Sequence, residues 1–323
     1  MADVTIRIAP HLSRALQDGA PVVALESTVV THGLPAPHGL ELAHDLEAAV
    51  RAHGATPATI GVVAGELVAG LSAPELERLA SGGADKATLW NLAASTARGG
   101  DAGTTVAATL HAAHLAGIEV FATGGIGGVH VAPFDESADL AALARTPLVT
   151  VCSGPKSILD AHATLERLET AGVPVVGYAS DALAGFHLPL AEPNAPLPIR
   201  ADAPEEVAAV HRAQRALGLP QAILVSNPVD EGVDPVAYRR WLDAARRDAD
   251  AAGAHGKEAT PFLLQALAER SEGATVRTNL RLLRRNAELA ARIAVALAHD
   301  GVPARAADRT PDPSPSHGTD VHA

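Results

Sequence analysis

The sequence contains very little cysteine and few aromatic residues. One cysteine, four Phe, two Trp and two Tyr occur among 323 residues. The lone cysteine, Cys152, excludes an intrachain disulfide, and its place at the end of an apolar segment predicts a core thiol in a reducing compartment. Aliphatic residues therefore supply most of the 47% hydrophobic content, which is ample for a globular core.

Lysine is also scarce. The chain has three lysines, Lys86, Lys156 and Lys257, against 22 arginines. Because an arginine side chain stays protonated, only lysine can supply a neutral amine nucleophile. Lys156 is the leading candidate, since residues 148–152 predict a buried strand and residues 153–156 the turn that follows it. The alternative is a chance distribution in an arginine-rich composition.

Charge and hydropathy exclude several classes of protein. The net charge of −12 argues against a nucleic-acid surface, which needs clustered cations. The N-terminus lacks a basic segment followed by an apolar one, and no uncharged apolar run reaches membrane-spanning length. We therefore expect a cytoplasmic protein with neither a membrane nor a nucleic acid as partner.

Short Val/Ile-rich segments alternate with longer Ala/Leu/Arg/Glu segments, which predicts an α/β fold with a mainly parallel sheet. The predicted strands are residues 22–25, 60–64, 118–122, 148–152, 173–178 and 222–226. The predicted helices are residues 41–53, 105–116 and 157–171, followed by a helical last third at 236–252, 261–271 and 276–299. We expect one domain over residues 1–302. The Asp/Pro/Ser/His-rich residues 303–323 predict a disordered tail.

Polar motifs follow four of the predicted strands. They are residues 26–33, 123–130, 153–156 and 227–228. In an open parallel sheet the carboxyl ends of the strands meet at one edge, where ligands bind. The four motifs therefore predict a single crevice.

Glycine is concentrated in residues 124–128, after a predicted strand. A dinucleotide-binding motif is disfavoured, because the following residues 129–135 contain a proline and continue as a loop where a helix should start. A turn whose N–H groups approach a phosphate or substrate oxygen is the functional interpretation, and a merely tight turn is the alternative.

Three carboxylates are candidates for chemistry. Asp135 and Asp139 would face the same way on a helical turn and suit Mg²⁺ or Mn²⁺, although Asp and Ser here could equally cap a helix. Glu26 ends an apolar strand, so burial could raise its pKa and make it a general acid. A structural carboxylate bonded to loop N–H groups is the alternative for Glu26.

Taken together, these motifs resemble the pseudouridine-5′-phosphate glycosidase family, which includes indigoidine-synthase-A-like relatives. The resemblance runs in order over about residues 5 to 298. The segments that carry it are residues 24–35, 103–109, 120–130, 134–140, 151–160 and 256–264.

The resemblance implies an α/β/α homotrimer that reversibly cleaves pseudouridine 5′-phosphate to uracil and ribose 5-phosphate with a divalent metal, typically Mn²⁺. Lys156 matches the family's Schiff-base nucleophile, Glu26 its proton donor and Asp135 its metal ligand. The positions that match substrate-binding residues are Lys86, Val106, Ser137, Ala138 and Asp139.

The chain departs from the family pattern at three places. Residues 87–92 are Ala-Thr-Leu-Trp-Asn-Leu and lack two customary arginines, the loop between His130 and Phe134 is short, and Pro155 precedes Lys156. These departures bear on phosphate affinity and base choice. They leave two alternatives open: action on another C-nucleotide or a pigment precursor, and a non-catalytic protein that binds a sugar phosphate.

Overall fold

The computed structural model describes residues 6–33, 38–131, 135–254 and 259–299. Lys257, Phe134 and the predicted tail at residues 303–323 lie outside these residues. The strands are β1 (Arg7–Ile8), β2 (Val22–Glu26), β3 (Thr56–Val63), β4 (Glu66–Ala69), β5 (Asp85–Ala87), β6 (Ala102–Thr104), β7 (Val120–Ala122), β8 (Val149–Cys152), β9 (Val175–Tyr178), β10 (Ala184–Gly185), β11 (Leu188–Leu190), β12 (Ile199–Ala201) and β13 (Ile223–Ser226).

Helices flank these strands throughout the described residues. They are α1 (Pro10–Gln17), α2 (His38–Ala52), α3 (Ala73–Ala80), α4 (Leu92–Ala97), α5 (Val106–Leu115), α6 (Ala138–Leu143), α7 (Ala161–Thr170), α8 (Pro204–Ala216), α9 (Pro235–Ala252), α10 (Ala259–Arg270) and α11 (Ala274–His299). A π-helical turn, Val29–Gly33, follows β2.

The main sheet is mostly parallel. Its strand order is β1-β4-β3-β2-β7-β8-β13-β9-β12, with β6 paired to both β3 and β5. The antiparallel pairs are β3 with β4 and β3 with β6. The sequence prediction of a mainly parallel sheet is confirmed.

Helices cover both faces of the sheet, which gives three layers. On β2, Val22 and Ala24 face one core cluster, while Val23 and Leu25 face the other. Successive side chains of a strand point to opposite faces, so a strand buried on both faces is apolar throughout. Helices α1, α5, α6 and α7 contribute to the first cluster, and α2, α8 and α11 contribute to the second.

The predicted strands and the helical last third are confirmed, with small shifts at their ends. The starts of two elements move by four residues: β3 begins at Thr56 and not at residue 60, and α7 begins at Ala161 and not at residue 157. The Asp160 side chain accepts a hydrogen bond from the Ala163 N–H (2.9 Å) and caps the helix, so residues 157–160 remain a turn. This turn separates Lys156 from the helix.

Candidate active site

The four polar motifs lie at one edge of the sheet, as predicted. They follow β2, β7, β8 and β13, which are neighbours in the strand order. Backbone hydrogen bonds continue the pairing past the strand ends: the Thr123 N–H donates to the Val151 carbonyl (3.0 Å), and the Asn227 N–H to the Cys152 carbonyl (2.8 Å). The loops that bear the candidate residues are therefore held by the sheet itself.

Glu26 is the last residue of β2 and is partly exposed in the crevice. Its Oε1 accepts a short hydrogen bond from Thr123 Oγ1, on the loop after β7. Burial raises the pKa of Glu26, although the charge of Lys156 and the Thr123 hydrogen bond act in the opposite direction. Glu26 thus keeps its proton to higher pH than an ordinary glutamate, as a general acid requires.

Lys156 ends the turn after β8, and this turn packs against the glycine-rich loop. The Lys156 N–H donates to the Ile126 carbonyl (3.0 Å), and the Ile126 N–H donates to the Gly154 carbonyl (3.1 Å). Gly154 has φ +84°, and a Cβ there would lie 2.1 Å from the Ala184 carbonyl oxygen. Glycine is therefore required at this position, and the turn holds Lys156 in one place.

Lys86 comes from outside the four polar motifs: it lies on the short strand β5. Burial lowers the pKa of Lys86, and the positive charge of Lys156 lowers it further, while the carboxylates of Glu26 and Asp139 act in the opposite direction. Lys156 is thus near enough for its charge to affect Lys86. Lys86 is consequently a second candidate amine at this edge.

Asp139 is buried and joins two parts of the site. One carboxylate oxygen accepts from the Ala107 N–H in the first turn of α5 (3.0 Å), and the other from the Gly127 N–H (2.8 Å). At Gly127, a Cβ would lie 2.2 Å from Ser137 Oγ, so only glycine allows this approach. The glycine-rich loop is a tight turn whose Gly127 N–H binds a protein carboxylate.

The remaining predicted substrate-binding residues cluster around Asp139. Ser137 caps α6, with its Oγ accepting from the Asp139 N–H (3.2 Å), and Ala138 is the first residue of that helix. Val106 is the first residue of α5, next to Ala107, which donates to Asp139. The fold therefore brings Val106, Ser137, Ala138 and Asp139 together.

The expectation that Asp135 and Asp139 share a helical turn is wrong. Residues 135–137 precede α6, and Glu136 forms a β-bridge with Val129. The Asp139 carboxylate accepts hydrogen bonds from the Ala107 and Gly127 N–H groups, which belong to α5 and to the glycine-rich loop. Capping of α6, the alternative interpretation, therefore describes only part of the role of Asp139.

The Asp135 side chain is 36% exposed and lies 4.0 Å from His130 Nδ1. Within the described residues, no group of three or more His, Cys, Asp and Glu side chains could hold a metal ion. A divalent cation held by Asp135, with His130 beside it, would therefore take most of its ligands from water or substrate oxygen, as Mg²⁺-type sites do.

Cys152 takes no part in this chemistry. It is fully buried, and burial raises the pKa of its thiol to about 12. The predicted core thiol is confirmed. A thiol that stays protonated at neutral pH is a poor nucleophile.

Two residues that contact the predicted site were not singled out from the sequence. Thr123 lies in the glycine-rich motif, but its hydroxyl partner, Glu26, lies 97 residues earlier in the chain, and only the pairing of β2 with β7 brings the two together. Asn286 lies on α11 and is fully buried. The sequence signal for Asn286 is a single amide between apolar residues of one helix face. Leu282 and Leu289 are among its buried neighbours on α11.

The chain belongs to the indigoidine synthase A-like family, whose model matches residues 11–296. The pseudouridine-5′-phosphate glycosidase of Thermus thermophilus is 59% identical over 278 residues, which are 86% of this chain and 98% of that protein. The enzyme of the same name from Salinispora tropica is 49% identical, covering 91% of this chain and 92% of its own. The resemblance of the sequence motifs is confirmed.

Solved structures share the fold. The prealnumycin C-glycosynthase, solved in complex with ribulose 5-phosphate, has a TM-score of 0.84 and 38% identity over 92% of this chain and 98% of its own. An indigoidine synthase A-like protein from Thermotoga maritima also has a TM-score of 0.84, with 36% identity over the same shares. The α/β/α architecture of this family is therefore that of the present chain. No helix among the described residues is long and apolar enough to cross a membrane.

Asp139→Asn should lower the free energy of unfolding by about 1–3 kcal/mol, because an amide NH₂ would face one of the two buried N–H donors. Urea denaturation measures the change. The matched control is Asp135→Asn, at a more exposed carboxylate in the same segment, which should leave stability nearly unchanged. Equal effects of the two substitutions would contradict the bridging role of Asp139.

Proposed function

We propose that the protein catalyses the reversible cleavage of the C–C glycosidic bond of pseudouridine 5′-phosphate, giving uracil and ribose 5-phosphate. The observation that carries the proposal is the meeting of Glu26 and Lys156 at one sheet edge, near enough for the lysine charge to affect the carboxyl group. The relatives described above, which are named for this activity, support the choice of substrate.

The chemistry needs an amine because the bond to the base is a carbon–carbon bond. As the bond from C1′ to the ring oxygen breaks, that oxygen takes a proton. The Lys156 amine bonds to C1′ and releases one of its protons to solvent, which restores the nitrogen lone pair. The bond from C1′ to the base then breaks, its electron pair goes to the base carbon, and the nitrogen lone pair forms an iminium with C1′. The base carbon takes a proton, and water releases ribose 5-phosphate and the free amine.

Glu26 is proposed as the proton donor to the ring oxygen. Its raised pKa keeps the acid form available, and the Thr123 hydroxyl orients the carboxyl group through Oε1. Because the carboxyl group is only partly exposed, the proton is delivered in a site from which much water is excluded.

The sugar phosphate is proposed to bind across Lys86, Val106 and the segment 137–139. The start of α5 offers N–H groups and the positive end of a helix dipole to an anion. Thr105 Oγ1, at the cap of α5, is buried and has no hydrogen-bond partner within the described residues. This hydroxyl supports the placement of a ligand oxygen there.

A divalent cation, Mn²⁺ in the family pattern, is proposed to bind at Asp135 with His130 beside it. When bound, the cation would supply positive charge to neutralise the substrate phosphate or oxygen atoms. Assembly as a homotrimer and a cytoplasmic location remain predictions from the resemblance and the sequence.

A second candidate function is action on a C-nucleotide with a larger aromatic base. It is favoured by Trp90, which is 95% exposed four residues after Lys86. Asn91 accepts from the Thr88 N–H (2.8 Å) and donates to the Lys86 carbonyl (3.0 Å), and these bonds close the turn that bears Trp90. Cleavage rates compared across phosphorylated C-nucleosides distinguish the two functions.

Borohydride reduction during turnover of pseudouridine 5′-phosphate should attach a pentose phosphate to Lys156, because only an iminium is reduced to a stable amine. Peptide mass spectrometry locates the adduct. Lys156→Ala should abolish both the adduct and turnover, while Lys86→Ala should weaken substrate binding and still yield the adduct. An adduct on Lys86 in the native protein would reverse the roles of the two lysines.

The pH profile should identify Glu26 as the acid. Activity requires its protonated form, so kcat/KM should fall as pH rises through the pKa of Glu26. Thr123→Val removes a hydrogen bond that lowers this pKa, so the alkaline limb should move to higher pH. Glu26→Gln should lose most activity. An alkaline limb that stays in place in Thr123→Val would count against Glu26 as its origin.

Metal dependence should map to Asp135. Chelation should reduce activity and Mn²⁺ should restore it, and Asp135→Ala should raise the Mn²⁺ concentration needed for half-maximal activity by about 10-fold or more. Glu136→Ala, at the neighbouring residue whose carboxylate pairs with Arg167 (2.9 Å), is the matched control. The same Mn²⁺ requirement in both variants would place the cation elsewhere.

A further inference from the structure

One buried amide binds the ends of three neighbouring strands. Asn286, on α11, is fully buried. Its Nδ2 donates to the Thr123 carbonyl after β7 (2.8 Å) and to Ser153 Oγ after β8 (3.1 Å). Its Oδ1 accepts from Asn227 Nδ2 after β13 (2.9 Å). The amide therefore uses both its donors and its acceptor within the protein.

The amide does more at this place than fill the core. The side chain lies on a helix face formed by apolar residues such as Leu282, Leu283 and Ala290. Apolar packing on that face sets no direction, whereas a hydrogen-bonded network fixes directions and distances. What this amide specifies is the relative placement of the loops.

Those loops lead directly to the proposed reacting groups. Thr123, whose carbonyl Asn286 binds, donates from its hydroxyl to Glu26. Ser153, whose hydroxyl Asn286 binds, opens the four-residue turn that ends at Lys156. Asn286 on α11 thus contacts both the loop that orients Glu26 and the turn that bears Lys156, through two separate hydrogen bonds.

We infer that Asn286 is a positioning residue, which holds Glu26 through Thr123 and Lys156 through the turn that begins at Ser153. The inference rests on the proposed function for the roles of Glu26 and Lys156. The hydrogen bonds that carry it are independent of that function. Asn286 itself lies behind the loops, and its effect on the reaction passes through them.

The charged groups that face Glu26 are Lys156, Lys86 and Asp139. None of them contacts Asn286 directly, so its removal takes no charged group away from Glu26. The effect on Glu26 passes through the Thr123 hydroxyl, whose bond stabilises the carboxylate form. Loss of Asn286 should therefore loosen that bond and raise the pKa of Glu26.

The first test compares Asn286→Ser with Thr275→Val. Thr275 is a buried residue of the same helix, bonded to Ser271 Oγ (3.1 Å) at the start of α11, and it serves as the control for lost polar contacts. Asn286→Ser should lower kcat by about 10-fold to 100-fold with little change in KM, because misplacement of reacting groups acts on the chemical step. Thr275→Val should keep the native kcat.

The second test needs no substrate. Carboxyl ¹³C NMR, with the Glu26 signal assigned from Glu26→Gln, should show a higher pKa for Glu26 in Asn286→Ser and no change in Thr275→Val. In a Thr123→Val background, the rise caused by Asn286→Ser should be smaller, because the Thr123 hydroxyl is no longer there to be displaced. Ser153→Ala should slow adduct formation on Lys156 and raise the Glu26 pKa less than Asn286→Ser does, and it provides a second route if Asn286→Ser does not fold.

The outcomes separate this inference from the proposed function. A native protein that does not cleave pseudouridine 5′-phosphate would refute the function, while the NMR titration would still decide the link from Asn286 to Glu26. Native kcat and an unshifted Glu26 pKa in Asn286→Ser, with stability lowered as in Thr275→Val, would show a merely structural amide and overturn the inference.

Discussion

The parallel pairing of β2, β7, β8 and β13 is the constraint on which the site depends. Adjacent parallel strands end on the same side, so each loop that leaves them starts within one strand spacing of the next. Each of these strands is buried on both faces, so its apolar residues stay within the sheet. In β2 the first polar residue marks the edge: the apolar residues 22–25 determine where Glu26 lies, although Glu26 contributes nothing to the core.

Electrostatics at this edge follow from the same placement. Two lysines, Lys86 and Lys156, lie near two carboxyl groups, those of Glu26 and Asp139. The surroundings of the two carboxyl groups differ: Asp139 accepts from two backbone N–H groups, whereas Glu26 has one hydroxyl donor and a buried setting that raises its pKa. Neighbouring carboxylates with different surroundings can serve binding and proton transfer separately.

The sequence could predict the long buried strands and the edge where Glu26 and Lys156 meet, because continuous apolar runs and turn residues are local signals. Short strands such as β5 and β6 could not be predicted, since three residues with little apolar pattern pair only through tertiary contacts. The role of Asp139 was equally hidden. Spacing leaves capping and ligation open, and only the packing of α5 beside the glycine-rich loop shows its two N–H partners.

The contact between Asn286 and the loops also bears on how the protein is made. Thr123 precedes Asn286 by 163 residues and Ser153 by 133. During synthesis the strands that carry both loops leave the ribosome long before α11 does. Until α11 emerges, the loops at the ends of these strands lack their hydrogen bonds to Asn286. The crevice of a nascent chain is therefore incomplete until α11 has emerged. A chain released before that point would carry Lys156 and Glu26 without Asn286, the amide that links their loops.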